Sequence, residues 1–441
     1  MSSDPLGLIT GDRAAAISAS IEAAVDAGQL RAGAALPPVR RLAAHLRVSP
    51  TTVAAAYRDL QARGLAAAAG RRGTRVLGRP TAHHASPDMP ARARDLSHGN
   101  PDPALLPDLE PALAQLRPRQ RLYGEPPYSR PLLDLAAADF AADGVPSDYV
   151  LVVGGALDGI ERTLGAQLRR GDRVAVEDPG YPAIFELLLA LGLAPEPVPV
   201  DDRGFLPDAL ESALTGGVAA VLSTPRAQNP TGAAMDEERA RQLRPLLADR
   251  SDLLLVEDDH AGRVAGAPMV TLSNEFPGRW AVVRSVSKSL GPDLRLAVMA
   301  GDRATVSRVE GRQQLGVGWV SHLLQDLVVG LLEAPSVQRL LDRATATYGE
   351  RREALIAALA DRGQPALGRS GFNVWVPVAD EQVAVRRLLE SGWAVSPGQR
   401  FRHRSPPAVR LSIGGLRAEE AARVADALAV SSERAARTRL A

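Results

Sequence analysis

Apolar positions in the first 76 residues recur at helical spacing. Ile17, Ile21, Ala24 and Val25 make one stripe, punctuated by Gly28 and Gly33. Leu36-Pro37-Pro38 opens a second, short helix with Val39, Leu42, Ala43 and Leu46 on one face, broken at Arg47-Val48-Ser49. Ser49 suits the N-cap of a third helix with Pro50 at its first position. Val53, Ala56, Tyr57 and Leu60 give that helix its buried stripe, and Gly64 marks its end. Leu65-Ala66 and Thr74-Arg75-Val76 then flank Gly70-Arg71-Arg72-Gly73, which predicts a hairpin with a basic tip.

Residues 77–95 carry Pro, Ala and Arg without periodicity and read as a flexible linker. From about residue 96 short apolar runs alternate with helical patterns. The runs are Tyr149–Val153, Arg173–Val176, Glu196–Val200, Val218–Leu222, Leu253–Val256, Trp280–Arg284 and Leu296–Ala300. Ala156–Leu168, Ala183–Leu191 and Glu237–Leu247 are helical stretches between them. This alternation predicts an α/β body whose mainly parallel, seven-stranded sheet is covered by helices on both faces. Long helical patterns fill 303–361, and a small α/β unit follows with strands near Asn373–Val376 and Val409–Ile413. Residues 431–441 are polar and read as a frayed tail.

Helix, tight turn, helix and basic hairpin describe a winged helix-turn-helix over residues 1–76. Its third helix would enter a major groove with Ser49, Thr51 and Thr52 nearest the bases. Arg40 and the wing arginines Arg71 and Arg72 are the expected phosphate contacts. A three-helix protein-interaction module is the other reading of the same pattern. Charge bears on the choice. Residues 1–95 hold 13 Arg and 7 Asp+Glu, a net of +6, on a chain whose total is +1, so the remainder carries −5. A basic head on an acidic body suits a polyanionic partner, double-stranded DNA.

Composition excludes other classes. Apolar residues make up 45% and charged residues 23%, which fits a globular protein rather than a disordered or fibrous one. With no cysteine there is no disulfide, thiolate nucleophile or Cys-ligated zinc, and the seven histidines form no HxxxH spacing, so no metal is expected. No secretory pattern and no membrane-length apolar run stand in the sequence, and the expected location is cytoplasmic.

Lysine usage is the sharpest signal. Of 52 basic residues only Lys288 is lysine. Arginine replaces lysine for solubility or ion pairing, but not where a neutral amine must attack a carbonyl. Lys288 lies in Ser285-Val-Ser-Lys-Ser-Leu-Gly-Pro-Asp-Leu-Arg295, directly after an apolar strand. An amine beside serines and an arginine suits an aldehyde cofactor bearing a phosphate. Three further segments fit. Leu255-Val256-Glu257-Asp258-Asp259-His260 delivers carboxylates to a strand end, where one could keep a pyridine nitrogen protonated. The Asn229-Pro230-Thr231-Gly232 turn could aim an amide at a ring hydroxyl, and Tyr181 could stack on a flat ring. Gly154-Gly155-Ala156-Leu157 joins strand to helix, so its amides could grip a phosphate.

In this order the segments make residues 96–430 resemble a fold-type I pyridoxal-phosphate (PLP) aminotransferase. LPPVRRLAAHLRVSPTTVAAAYRDL makes the head resemble the GntR-type winged helix. Together they resemble the MocR/GabR group of bacterial transcription regulators, with GNPDPALLP at 99–107 nearest the members tied to vitamin B6 salvage. The resemblance implies roles. Lys288 would form the aldimine, Asp258 would pair with the pyridine nitrogen, Asn229 would bond the ring oxygen and Tyr181 would stack. Ser285, Ser287 and Arg295, with the amides of Gly155, Ala156 and Leu157, would hold the phosphate. Arg410 would clasp an effector carboxylate, and Tyr123 would reach the site of a partner in a homodimer. The function implied is a PLP-dependent regulator that senses PLP or an amine or amino-acid effector; the alternative is an active aminotransferase with a DNA-binding appendage. Departures from the family pattern are His260 where Tyr is usual, which could still donate a bond to the cofactor's ring oxygen or be a plain core histidine, Arg226-Ala227 for Ser-His, a 153–158 loop without Ser or Gln, and Pro50 at a position often polar.

Overall fold

The computed structural model describes residues 5–30, 34–62, 65–68, 73–76 and 93–438. In the head, α1 (Ala14–Asp26), α2 (Val39–Leu46) and α3 (Pro50–Ala62) precede an antiparallel pair, β1 (Ala66–Ala68) and β2 (Thr74–Val76), with Ala66 opposite Val76. The predicted stripes meet in one core of Ile17, Ile21, Leu42, Val53, Ala56, Leu60 and Val76. Two polar bonds fix the helices. Ser18 Oγ donates to Asp59 across α1 and α3 at 2.7 Å, and the buried Tyr57 hydroxyl donates to Pro37 O at 2.6 Å. The turn before α3 is made by Arg47 in the left-handed region (φ 56°). The hairpin tip, with Arg71 and Arg72, lies outside the described residues.

The body opens with β3 (Arg94–Asp95), α4 (Glu110–Gln115) and α5 (Arg130–Ala142). It continues with β4 (Val150–Val153), α6 (Ala156–Gln167), β5 (Arg173–Asp178), α7 (Pro182–Ala190), β6 (Ala194–Asp201), β7 (Gly204–Phe205) and α8 (Pro207–Thr215). Then come β8 (Ala220–Ser223), α9 (Glu237–Leu247), β9 (Leu254–Asp259), β10 (Arg279–Ser285), β11 (Ala297–Gly301) and three helices, α10 (Arg303–Gln314), α11 (His322–Glu333) and α12 (Pro335–Ala360). The sheet order is β4-β11-β10-β9-β8-β5-β6-β7. Strands β5, β8, β9 and β10 run parallel, while β11 is antiparallel to both neighbours, β10 and β4. Val152, Val221, Leu255 and Val282 are fully buried, as strands covered on both faces require.

A small unit closes the chain with β12 (Asn373–Pro377), α13 (Glu381–Glu390), β13 (Trp393–Ala394), β14 (Ser396–Pro397), β15 (Ala408–Ser412) and α14 (Ala421–Thr438). Its antiparallel sheet is ordered β12-β15-β14.

Three boundaries differ from the sequence expectation. The seven expected strands are present, and an eighth, β7, adds to them only because the turn at 202–203 folds Gly204–Phe205 back on β6. Arg94–Asp95, inside the stretch expected as linker, pairs parallel with β13, a partner some 300 residues away that local pattern cannot reveal. The tail does not fray at 431: α14 runs on to Thr438, as its Ala, Glu and Arg content favours.

Candidate functional site

Register brings the loops of interest to one end of the large sheet. Ser285 on β10 pairs with Ala297 on β11, which pairs with Val153 on β4. The loop holding Lys288 and the Gly154-Gly155 turn therefore leave the sheet side by side. The parallel strands β5, β8 and β9 end at the same edge with Asp178, Ser223 and Asp259, the carboxyl edge where α/β sheets bind ligands.

Asp258 and Asp259 close β9 and point to opposite faces. Asp258 pairs in register with Val283, whose side chain packs against Gly159 of α6. Asp258 is buried and its Oδ1 has no hydrogen-bond partner. Burial first, then the charges of Asp259 and Glu177, push its pKa up to about 8. On the other face Asp259 receives Arg226 Nε and Nη2, each at 2.9 Å, and Arg284 Nε at 2.6 Å. Arg284 also holds Asp139 and Asp143, both at 2.6 Å. Burial opposes the charge on Asp259, but the two guanidiniums win and hold it down at about 2.

Lys288 is partly buried and donates to Gly99 O, with its Nζ 5.9 Å from the Phe372 ring centre. Burial, with the charge of Arg410, brings its pKa down to about 8. Ser285 Oγ donates to Ser287 Oγ at 3.0 Å and accepts Ser287 N at 3.1 Å. Arg295, itself at φ 43°, lies over Gly155, where an added Cβ would stand 2.8 Å from Arg295 Nη2. Gly155 takes φ 110°, and the helix it introduces begins at Ala156, so the first amides of α6 point out of the turn. Serine hydroxyls, a guanidinium and a helix N-terminus thus leave the same edge of the sheet, donors of the kind a phosphate takes.

Arg410 is buried on β15. Nη1 donates to Asn229 Oδ1 at 2.9 Å and Nη2 to Ser97 O, while Nε has no partner. Its plane lies 4.7 Å from the Phe401 ring centre, and burial, then Arg400, lowers its pKa to about 10. Asn373, on β12, also donates to Asn229 Oδ1, at 3.4 Å, leaving its own buried Oδ1 unpartnered. With Asn229 Oδ1 taken on two sides, the amide NH2 is the end left to face a ligand. Asn373 and the Ser97–Gly99 carbonyls escaped the sequence reading. GNPDPALLP at 99–107 carried only the family resemblance, with nothing in it to place the Ser97–Gly99 carbonyls beside Lys288 and Arg410.

One expectation, that for His260, changes. The neutral His260 ring has its pKa held down near 4, by burial and then Lys288, and its Nε2 lies 2.9 Å from Ala227 O, so the proton sits there. His260 therefore has no hydrogen to give a ring oxygen. Tyr123 does not meet the site within one chain; it is 93% exposed and stands edge-on to Trp319, ring centres 5.8 Å apart. Tyr181 stands 40% exposed at the start of α7, next to the site loop whose Gly180 N donates to Phe401 O at 2.8 Å. A cavity of about 40 Å³ lined by Leu132, Asp139, Arg284 and Ser289 lies on the α5 face, too small for a cofactor.

The residues present fit pyridoxal phosphate: the unpartnered Asp258 oxygen suits a pyridinium N–H, the Gly155 cradle suits a phosphate, and Lys288 offers an amine for an aldehyde. In the head, Ser49 Oγ accepts Thr52 N at 3.1 Å and lies 2.7 Å from Thr51 Oγ1 and 2.8 Å from Thr52 Oγ1. Arg40, Ser49 and Thr51 are exposed, and Thr52 is half-buried.

Comparison with known proteins agrees with both halves. The model for aminotransferase class I and II matches residues 92–428, and that for bacterial regulatory proteins of the gntR family matches residues 13–76. The chain is 41% identical to the vitamin B6 salvage pathway transcriptional repressor PtsJ of Salmonella typhimurium over 94% of this chain and 97% of that protein. It is 31% identical to the HTH-type transcriptional regulator TauR of Rhodobacter capsulatus over 85% of this chain and 86% of that one. Among solved structures it is similar in fold to the Pyrococcus horikoshii kynurenine aminotransferase, with a TM-score of 0.71, 23% identity and coverage of 78% of this chain and 91% of that one.

Proposed function

The chain belongs to the MocR-type regulators of the gntR family, which join a winged helix-turn-helix to an aminotransferase class I and II body, and from that premise we propose that it is a transcription regulator controlled by pyridoxal phosphate. The observation that carries the reading is the sole lysine of the chain, set in the loop that leaves the carboxyl edge of the sheet and close enough to Arg410 to feel its charge. Its similarity to a named vitamin B6 salvage repressor supports the same effector.

Bound pyridoxal phosphate supplies an aldehyde carbon and an electron-withdrawing ring. Lys288 contributes an amine that burial keeps partly neutral, hence nucleophilic, near neutral pH. Asp258, carrying its proton until a pyridinium N–H meets it, would hold the ring nitrogen. Asn229, oriented by Arg410 and Asn373, would donate its amide to the ring oxygen. Ser285, Ser287, Arg295 and the amides of Gly155, Ala156 and Leu157 would fix the phosphate. Tyr181 would cover the ring, and Arg410 would bind the carboxylate of an amino-acid effector through its unpaired Nε–H. His260 orients the Ala227 turn rather than the ligand. Exposed Leu122, Tyr123, Leu315 and Val317 form a surface that a second copy would cover in a homodimer. Through Arg40, Ser49, Thr51, Thr52, Arg71 and Arg72 the head would bind double-stranded DNA.

The test is footprinting upstream of the protein's own gene with and without pyridoxal phosphate, alongside visible absorbance of the purified chain. Coloured protein whose colour is lost in Lys288→Met, with a footprint that responds to the vitamer, supports the reading. Sustained transamination without DNA binding would overturn it in favour of an enzyme.

A further inference from the structure

Strand pairing puts four side chains of the small sheet on one face. Asn373 stands opposite Ser412 and Trp375 opposite Arg410, and opposed residues of an antiparallel pair project to the same side. Val374, Val376, Val409 and Leu411 project to the other side and join the main hydrophobic core. The polar face meets the segment at 97–99, where Arg410 donates to Ser97 O and Lys288 to Gly99 O.

Hydrogen bonds on this face fix which atom is left over. Arg410 Nη1 donates to Asn229 Oδ1 at 2.9 Å, so that atom is an oxygen, and Asn373 must turn its NH2 toward it, at 3.4 Å. Asn373 Oδ1 is thereby left as an acceptor on a residue only 4% exposed, and no donor reaches it. Ser412 does not supply one, since its own buried hydroxyl has no partner. Arg410 Nε–H is the complementary group, a buried donor with nothing to bond. A buried polar atom without a partner is costly, and a ligand that meets it recovers that cost.

Gly99 keeps space in front of both groups. Its φ lies outside the left-handed region, so the backbone there does not require glycine. Chain neighbours apart, a methyl built on Gly99 would find only Arg410 Nη1 and Asn373 Oδ1 within 4 Å, each at 3.9 Å. A gap the size of a methyl group therefore lies between the guanidinium and the unmet oxygen, and any side chain at 99 would fill it.

We propose that Asn373 Oδ1 and the gap beside Gly99 form a subsite that reads a hydroxyl on the β-carbon of an amino-acid effector. The proposal deepens the reading of Lys288 and Arg410 as the effector site and rests on it. With the carboxylate on Arg410 and the amine turned toward Lys288, the side chain is the part of an amino acid left to bring Asn373 a donor. The gap admits only a short group, so the hydroxyl belongs on the β-carbon, as in serine. Alanine fills the same space but donates nothing and leaves Asn373 Oδ1 unmet.

The experiment is isothermal titration of the full-length protein, loaded with pyridoxal phosphate, using serine and alanine in both hands. In one hand serine should bind about tenfold tighter than alanine. Asn373→Leu keeps the bulk and removes the acceptor, and should bring the two affinities within about twofold of each other. Gly99→Ala fills the gap with a methyl that meets nothing nearer than 3.9 Å, and should lower the ratio likewise. Because each variant is judged by a ratio, a general weakening through Asn229 does not mimic the result. Equal binding of serine and alanine by wild type, or binding of neither, overturns the proposal, and so does an undiminished preference in either variant. Should Asn373→Leu fail to fold, Gly99→Ala decides alone. Failure of wild type to take up the vitamer is a separate result: it overturns the assignment of Lys288, and the proposal with it.

Discussion

Asp258 and Asp259 are consecutive on one strand, both buried, and titrate in opposite directions, one up to about 8 and the other down to about 2. The pleat is the reason: it turns one carboxylate toward the α6 face, where no cation meets it, and the other into a cluster of arginines. The same ionised Asp259 that anchors the α5 face raises its neighbour, leaving on the ligand side an acid whose proton a pyridine nitrogen would take.

Replacing Asp258 with Asn removes the charge but keeps the shape. A charge-assisted bond contributes about 1.5–3 kcal/mol, so affinity for pyridoxal phosphate should fall roughly 10- to 100-fold. Fluorescence titration of the variant checks this, and the fold should hold, because Asp258 Oδ1 has no partner to lose. Unchanged affinity would remove Asp258 from the ring-nitrogen role.

On the other face, Arg226→Met leaves Asp259 and Asp143 with Arg284 alone. Breaking a buried pair from one side costs about 3–5 kcal/mol, to be read from urea unfolding at neutral pH. The pH dependence has a definite sign. Asp259 has a folded pKa below its unfolded one, so its stabilisation is present above about 4 and is lost as pH falls through about 2. Wild type should lose stability steeply over that window, and the variant less so.

Lys288 gives a kinetic counterpart. Its pKa lies near 8 rather than at a lysine's usual 10.5, because burial desolvates the charged form and Arg410 repels it. The reactive species is the neutral amine, so the rate of adduct formation should rise with pH and level off above about 8. Stopped-flow absorbance against pH measures the midpoint. Arg410→Met removes the neighbouring charge and should move that midpoint upward; a midpoint fixed near 10 in both proteins would show the burial to be without effect.

Much of this was legible in the chain. Short, nearly continuous apolar runs located seven of the sheet's strands within a few residues, and the helix stripes placed the head, because each pattern reports local burial. Lysine scarcity singled out Lys288. What escaped was decided at long range. Arg94–Asp95 is a strand only because Trp393–Ala394 lies beside it, and Gly204–Phe205 only because β6 precedes a tight turn. Asn373 became part of the site through Asn229 and Arg410, three residues on three segments. Arg226 read as a departure from a family pattern, yet its partner Asp259 explains it.

Gly155 tests the phosphate cradle. Alanine there meets Arg295 Nη2 at 2.8 Å and must adopt φ 110°, a region L-residues avoid. Gly155→Ala should therefore cost about 1–2 kcal/mol of stability and displace the guanidinium, weakening pyridoxal phosphate more than unphosphorylated pyridoxal. Isothermal titration with the two vitamers separates the effects, and an equal loss for both would place the phosphate elsewhere.

In the head, three exposed residues should fail in three different ways. Arg40 stands at the start of α2 with no described ion pair. Arg40→Ala should weaken binding alike for all DNA sequences and reduce the salt slope by about one, as loss of a phosphate contact does. Thr51 lies on the first turn of α3, so Thr51→Val should change affinity at particular base pairs and leave the slope unaltered. Ser49 differs from both. Its oxygen already accepts Thr52 N at 3.1 Å, which caps α3, so Ser49→Ala should lower the stability of the head by about 1 kcal/mol and weaken DNA binding through that loss. Fluorescence anisotropy at several salt concentrations, on the footprinted site and on single-base variants of it, separates the three. A Thr51→Val protein whose losses are uniform across base variants would make α3 a phosphate-contacting helix rather than a base-reading one.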